Sequence, residues 1–184
     1  MTDEQFNAAM ERMRQKDREA LREIYECYIG YVYRIIYDIV RNPQTAEDIT
    51  SDFFIRLWER SAQYRSGNGH RGYLATIARN MTIDYLRKTG HEELLAGTDD
   101  DDSGPDALSL QTDNSPSPED SAVSDLSVEQ ALDKLKPVYR QIVTMKVLGE
   151  MTFQEIADTM EMPLGTVTWN YREAIKQLRR FGYE

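Results

Sequence analysis

Between residues 91 and 125 the chain carries 11 acidic side chains and no lysine or arginine. The stretch, HEELLAGTDDDDSGPDALSLQTDNSPSPEDSAVSD, is rich in Asp, Ser, Pro and Gly and poor in large apolar residues. Such a composition cannot bury enough surface to offset the entropy of ordering, so 91–125 is expected to be a disordered acidic linker. A structureless loop of this length inside one compact domain is uncommon. The 184 residues are therefore expected to form two small helical domains, 1–90 and 126–184. Flexible-chain scaling gives such a linker an r.m.s. span of roughly 30–35 Å, and more when stretched.

The same segment explains the net charge of −10. Residues 1–90 hold 14 basic and 13 acidic side chains, and residues 126–184 hold 8 of each. The acidity belongs to the linker, so the average charge does not exclude nucleic acid, whose binding rests on local Lys and Arg. No apolar run approaches the ~20 residues of a membrane span, and the N-terminus lacks the apolar centre of a secretory signal. No membrane insertion of its own is expected, and the expected location is cytoplasmic. A single cysteine, Cys27, excludes an internal disulfide and a multi-cysteine metal site. It lies in the apolar pattern of a helix and is expected to be buried. Histidine occurs only at His70 and His91, and no carboxylate pair is set in an evident pocket. Neither catalytic residues nor a cofactor or metal is expected, and the chain is not read as an enzyme.

Both blocks read as all-α. In DREALREIYECYIGYVYRIIYDIV the apolar positions Leu21, Ile24, Tyr28, Tyr31, Val32, Ile35, Ile36 and Ile39 recur at helical spacing, until Pro43 breaks the run. TAEDITSDFFIRLWER follows, with Thr45 the expected N-cap and Glu47 and Asp48 in the first turn. After a loop containing glycine and asparagine, RGYLATIARNMTIDYLRK puts Leu74, Ile77, Ala78, Met81 and Tyr85 on one stripe, and Gly90 is the expected stop. The opposite side gathers Thr76, Arg79, Asn80, Ile83 and Arg87 with no acid among them, an unusual face for an acidic protein. Lys88 lies at the edge of the stripe. In the second block Pro137 interrupts or restarts a helix. Thr152 and Glu155, at capping-box spacing, predict a fresh helix start. EMPLG connects this helix to a last one, TVTWNYREAIKQLRRFGY.

A short helix, a four- to five-residue turn and a second helix is the arrangement that puts a recognition helix into the major groove. Ile156 and Ala157, with Val167, Tyr171 and Ala174, let two such helices cross closely, and Leu164 can fill the corner. The start of the second helix offers Thr166, Thr168, Trp169, Asn170 and Arg172, groups that can donate to phosphates or base edges. Glu173 interrupts the basic character, while Lys176, Arg179 and Arg180 follow toward the C-terminus. From these residues alone, a packed αα-hairpin without a DNA role remains an equal alternative.

Taken in order, AEDITSDFFIRLWER, RGYLATIARNMTIDYLRK and MTFQEIADTMEMPLGTVTWNYREAIKQLRR resemble three segments of the bacterial sigma factors of the extracytoplasmic-function (ECF) type. The resemblance covers about residues 18–90 and 126–184. It implies an all-α fold of two small helical domains, sigma region 2 over 1–90 and a helix-turn-helix sigma region 4 over 126–184, joined by the linker. It also implies a transcription initiation factor that binds core RNA polymerase, directs it to promoter DNA and helps open the strands. In the family's pattern Asp48, Asp52, Phe53, Arg56 and Trp58 lie on the polymerase-binding face, the charged members more than the aromatics forming the contact. Arg65, Asn68, His70 and Arg71 fall in the loop that captures a flipped base. Thr76, Arg79, Asn80, Ile83, Arg87 and Lys88 fall on the face that meets the minus-ten element. The minus-thirty-five reader would use Thr166, Thr168, Trp169, Asn170, Arg172, Glu173 and Lys176. Control by an anti-sigma factor is implied by the resemblance alone.

Two departures stand out. Ser51 occupies a position where glutamine is common in the family. GTVTWNYRE replaces the usual GTV followed by Lys/Arg, Ser and Arg, which implies a non-standard minus-thirty-five sequence with Arg172 as the guanine contact and Glu173 able to accept from cytosine. Two rivals remain at this stage. A helix-turn-helix regulator acting without polymerase would explain 150–180 but not the first block. A helical adaptor or enzyme with no nucleic-acid role would make the acid-free face accidental.

Overall fold

A computed structural model describes residues 1–65, 69–96 and 130–180, without the side chains of 91–96. Among the described residues the regular structure is helical: α1 (Asp3–Arg14), α2 (Arg18–Val40), α3 (Pro43–Glu59), α4 (His70–Ala96), α5 (Pro137–Val147), α6 (Phe153–Met160) and α7 (Leu164–Arg180). One turn of 3-10 helix, Ser61–Gln63, follows α3.

Local chemistry sets most of the boundaries. The side chain of Asn42 caps α3 by accepting from the backbone N–H of Thr45, and Pro43 fills the first helical position. The expected cap at Thr45 is therefore displaced by one turn, and Glu47 and Asp48 lie beyond the first turn. Thr152 and Glu155 form the expected capping box at the start of α6, and α5 begins at Pro137. Gly90 does not stop α4, which runs on through Ala96. A glycine inside a helix costs about 1 kcal/mol relative to alanine, too little to end one by itself. The remainder of the expected linker, from 97 onward, lies outside the described residues.

The N-terminal helix α1 was not expected from the charged appearance of its sequence. Thr2 and Gln5 form a capping box, and Phe6, Ala9, Met10 and Met13 make a buried stripe at i, i+3, i+4 and i+7. Phe6, Met10 and Met13 are among the largest fully buried side chains, each contributing about 1.5–3 kcal/mol of burial.

Around α2 the first block closes: α1, α3 and α4 all pack on it. Its stripe of Ile24, Tyr28, Tyr31, Val32, Ile35 and Ile36 is buried as the periodicity predicts. Cys27 is exposed, contrary to the expectation of a buried thiol. One residue from Tyr28 is a 100° rotation, which carries Cys27 off the stripe onto a side that no described helix covers.

The two blocks share a core. Ile142, Met145, Met151, Ile156, Ala157, Met160 and Val167 of the second belong to the same buried cluster as the first-block residues. A separate small cluster, Leu132, Leu135, Tyr139, Val143 and Ala174, is private to the second block. Polar groups reinforce the seam. Thr144 donates to Asp38 at 2.5 Å, Arg41 pairs with Asp133 at 2.8 Å, and the Tyr31 hydroxyl meets the Met151 sulfur at 3.2 Å.

Candidate nucleic-acid interface

The loop before α4 is held from behind by α1. Arg14 donates to the carbonyls of Ser61 at 3.2 Å and Tyr64 at 2.5 Å, and the Tyr64 hydroxyl donates to Asn7 at 2.6 Å. At the other end of the loop, Asp3 accepts from the His70 backbone N–H at 3.0 Å and meets Nδ1 at 2.5 Å. The opposite ring nitrogen faces the Tyr28 hydroxyl, and the ring stacks on Phe6 with centroids 4.9 Å apart. Hydrogen bonding to His70 holds the Asp3 carboxyl below its usual range.

This places the expected base-contacting residues unequally. Arg65 is exposed and Arg71 half-buried, whereas Asn68 lies outside the described residues. His70 is buried, held by Asp3 on one side and facing Tyr28 on the other. On α4 the acid-free face splits along its length. Asn80, Arg87 and Lys88 are exposed, and Arg87 has only a loose 3.9 Å pairing with Asp84. Thr76, Arg79 and Ile83 are half-buried. Leu74 and Ala78 are buried as expected, while Tyr85, expected on the apolar stripe, is 40% exposed.

The half-buried portion is covered by the second block. The Thr76 hydroxyl donates to the Gly72 carbonyl at 2.9 Å and lies 3.3 Å from the Thr159 hydroxyl of α6. Arg71 pairs with Glu150 and donates to the Gly149 carbonyl at 3.3 Å, and the carboxylate raises its pKa. Arg79 shows the opposite trend: burial lowers its pKa, countered by the nearby charge of Glu161, and its Nε has no hydrogen-bond partner among the described residues. A desolvated N–H without an acceptor is costly, so the Nε of the half-buried Arg79 is a strained point of this face.

The second face behaves differently. Helices α6 and α7 cross through Ile156, Ala157 and Val167, with Phe153 edge-on to Tyr171 at 5.2 Å. Outward from α7, Thr166, Arg172 and Lys176 are exposed and Trp169 is 58% exposed. Thr168 is half-buried and donates to the Gly165 carbonyl, and Glu173 pairs with Lys176 at 3.6 Å. Asn170 does not join them. It is buried because it falls three residues after Val167 and four before Ala174, on the packed stripe. Leu164, expected to fill the corner, is 44% exposed.

On α3, Asp48 and Asp52 are exposed and Arg56 is half-buried. Phe53 is fully buried, corrected from the expected partner face to the core, in line with Ala46, Ile49, Thr50 and Leu57. Trp58 is half-buried with Lys16 5.5 Å from its ring. The exposed apolar group on this helix is Ile55, 57% accessible, three residues after Asp52 and four before Glu59. Tyr25, 42% exposed and edge-on to Phe54 at 4.8 Å, extends the patch onto α2. Neither was singled out from sequence. Each interrupts the buried periodicity, which is the signal that could have found them.

Among the described residues no cluster of His, Cys, Asp and Glu could hold a metal, and no helix is long and apolar enough to cross a membrane. Comparison with known proteins gives a consistent result. Residues 24–92 match the family model for sigma-70 region 2, and residues 125–178 match that for sigma-70 region 4. The chain is 30% identical over 180 residues to the ECF RNA polymerase sigma factor SigW of Bacillus subtilis, covering 92% of this chain and 95% of that protein. It is 32% identical over 177 residues to the ECF sigma factor BldN of Streptomyces coelicolor, covering 93% and 63% respectively. By shape it is similar to the sigma factor RpoE of Bartonella quintana, solved with the anti-sigma factor NepR, at a TM-score of 0.61 and 17% identity over 86% of this chain and 94% of that one. CnrH, solved with the cytosolic domain of CnrY, gives 0.62 at 13% identity over 96% of both chains.

Proposed function

The chain belongs to the ECF sigma factors of RNA polymerase, and from that membership we propose how its surfaces divide the work of promoter recognition. Sigma factors of this family are initiation factors that direct polymerase to specific promoters. The observation that supports a residue-level reading is the exposed α7 surface of Thr166, Trp169, Arg172 and Lys176 at the end of a helix-turn-helix. It reads the upstream minus-thirty-five duplex, with Arg172 on a base edge and Lys176 on phosphate. The first block, about residues 1–90, takes the minus-ten element. Arg65 and Asn68 approach a displaced base, and Arg71, Thr76, Arg79, Asn80, Ile83, Arg87 and Lys88 line the opened strand. His70 contributes by fixing the loop.

The polymerase-binding patch consists of Asp48, Asp52, Ile55 and Arg56, with Tyr25 at its margin: an apolar centre rimmed by charge. An anti-sigma protein covering this patch would silence the factor; the similarly shaped RpoE was solved with an anti-sigma factor. The work is done in the cytoplasm, where polymerase is, and the part of the expected linker beyond α4 acts as a tether between the readers. The decisive experiment is in vitro transcription with core polymerase, followed by start-site mapping. Defined start sites that require this protein are the expected result; no initiation at any site with core present would end the proposal.

A further inference from the structure

A recognition helix meets base edges with its N-terminal residues. In α7 that end is apolar. Its first eight residues, 164–171, carry no charged side chain, and Arg172 is the first cation. Trp169 dominates the outward side of the stretch at 58% exposed, with Leu164 exposed before it. Groups that could hydrogen-bond a base are few there. Asn170 is buried on the packed stripe, and the Thr168 hydroxyl donates to the Gly165 carbonyl at 3.0 Å. That leaves Thr166 and the indole, which has one donor and no acceptor. Gly165, one turn before Trp169, bears no side chain, and a Cβ there would meet nothing within 4 Å, so the indole is not walled in from that side.

We propose that Trp169 reads thymine: its indole packs on the C5-methyl group of a thymine in the minus-thirty-five duplex, beside the base that Arg172 contacts. The inference rests on the assignment of α7 to that duplex, and it adds the chemistry by which the apolar half of the helix selects a base. In the major groove the methyl group is the one large apolar feature on a base edge, and thymine alone carries it. Spacing sets where the thymine lies. Three residues of helix rise about 4.5 Å and base pairs stack about 3.4 Å apart, so Trp169 and Arg172 address positions no more than about two base pairs apart. Positive charge is confined to the other half of the helix. Lys176, Arg179 and Arg180 are exposed there and suit phosphates. Glu173, 3.6 Å from Lys176, keeps the cationic surface from spreading back toward the indole. The helix thus divides into an apolar half for base edges and a basic half for the backbone.

The test uses the full chain with core polymerase. Wild type first selects its minus-thirty-five element from a randomised promoter library. Each thymine of that element, on either strand, is then replaced by deoxyuridine, which lacks only the methyl group. Holoenzyme affinity for each duplex is measured by gel shift with wild type, W169A and W169F. Trp169 is exposed, so neither variant is expected to change the fold, which circular dichroism checks. One methyl in an apolar contact is worth about fourfold in affinity, so wild type is expected to lose about three- to fivefold at one or two thymines within about two base pairs of the R172A-sensitive position. W169A should respond less than about twofold at the same thymines, and W169F, which keeps an aromatic ring, should remain sensitive. An element without thymine at that place, equal losses in wild type and W169A, or no loss at any thymine would overturn the inference. A uniform drop in W169A affinity with methyl sensitivity intact would also overturn it, by putting the indole on the backbone or on polymerase. Run-off transcription keeps the premises apart. If wild type initiates at defined sites yet ignores the methyl groups, only the role of Trp169 falls; if it never initiates with core present, the promoter role of α7 falls with it.

Discussion

Phe53 and Ile55 sit two positions apart on α3 and have opposite fates, one fully buried and one 57% exposed. A helix turns 200° over two residues, so only one of the pair can face the core. Replacing Phe53 with alanine is expected to destabilise the protein by about 3–5 kcal/mol, read as a lower denaturant midpoint. Ile55→Ser should leave that midpoint within about 0.5 kcal/mol while weakening polymerase binding, measured by competition for core enzyme. Equal losses of stability would mean that Ile55 is structural. On α7, Arg172 is exposed to solvent at the outward start of the helix. Its replacement by alanine is expected to cost about 1–3 kcal/mol at one base position, seen as relaxed preference there in a promoter-library selection. Unchanged preference at every position would remove Arg172 from base readout.

Helix α1 is the element that turns a loop into a shaped site. Its Asp3, Asn7 and Arg14 each hold a loop residue or its flank, and Phe6 stacks under His70. Phe6→Ala should therefore loosen the loop beyond the local cavity cost of about 3–5 kcal/mol. The expected sign is faster amide exchange at Tyr64 and His70 at a pH and temperature where α3 remains protected; uniform acceleration would reduce α1 to general packing. The other elements were legible to different degrees. Periodicity gave the buried face of α2 and the first part of that of α4, through Leu74 and Ala78, and the capping box of α6 could be read directly as Thr152 and Glu155. The same signature at Thr2 and Gln5 went unread because Phe6, Ala9, Met10 and Met13 are embedded among charges. The burial of Asn170 and Phe53 depends on the helices packed on them, and that of His70 on α1, and no local pattern contains either neighbour. Ordered motifs carried the function further than any single residue could.

The packing of the two blocks against each other was the least legible feature, since a linker sets reach without fixing geometry and the seam depends on which surfaces meet. Asp38 is its most informative group. It lies on α2 with 1% of its surface exposed, accepts from Thr144 of α5 at 2.5 Å, and pairs with Arg34 at 3.1 Å. Burial pushes its pKa above the usual carboxylate range, and the attraction of Arg34 and the Thr144 bond do not fully offset that push. A group whose pKa is raised on folding contributes stability that is present below its unfolded pKa and lost as pH rises through the folded value. Ionising Asp38 therefore costs more in the closed seam than in the unfolded chain. An asparagine side chain in place of Asp38 would imitate the protonated acid, still accepting from Thr144 without a charge to desolvate. Asp38→Asn is therefore expected to raise the melting midpoint at pH 7, with the advantage over wild type shrinking as pH falls into the carboxylate range. Asp3 and Glu150 run the other way: partners on His70 and Arg71 lower their pKa values, so their contributions hold above the carboxylate range and fade on acidification. Because those groups are common to both proteins, the difference between variant and wild type isolates Asp38. Melting curves collected from about pH 4 to pH 8, spanning the carboxylate range and neutrality, decide the matter. A variant that melts lower at pH 7, with a deficit that grows toward neutrality, would mean that the Arg34 pairing outweighs desolvation and that the seam is held by the charge itself.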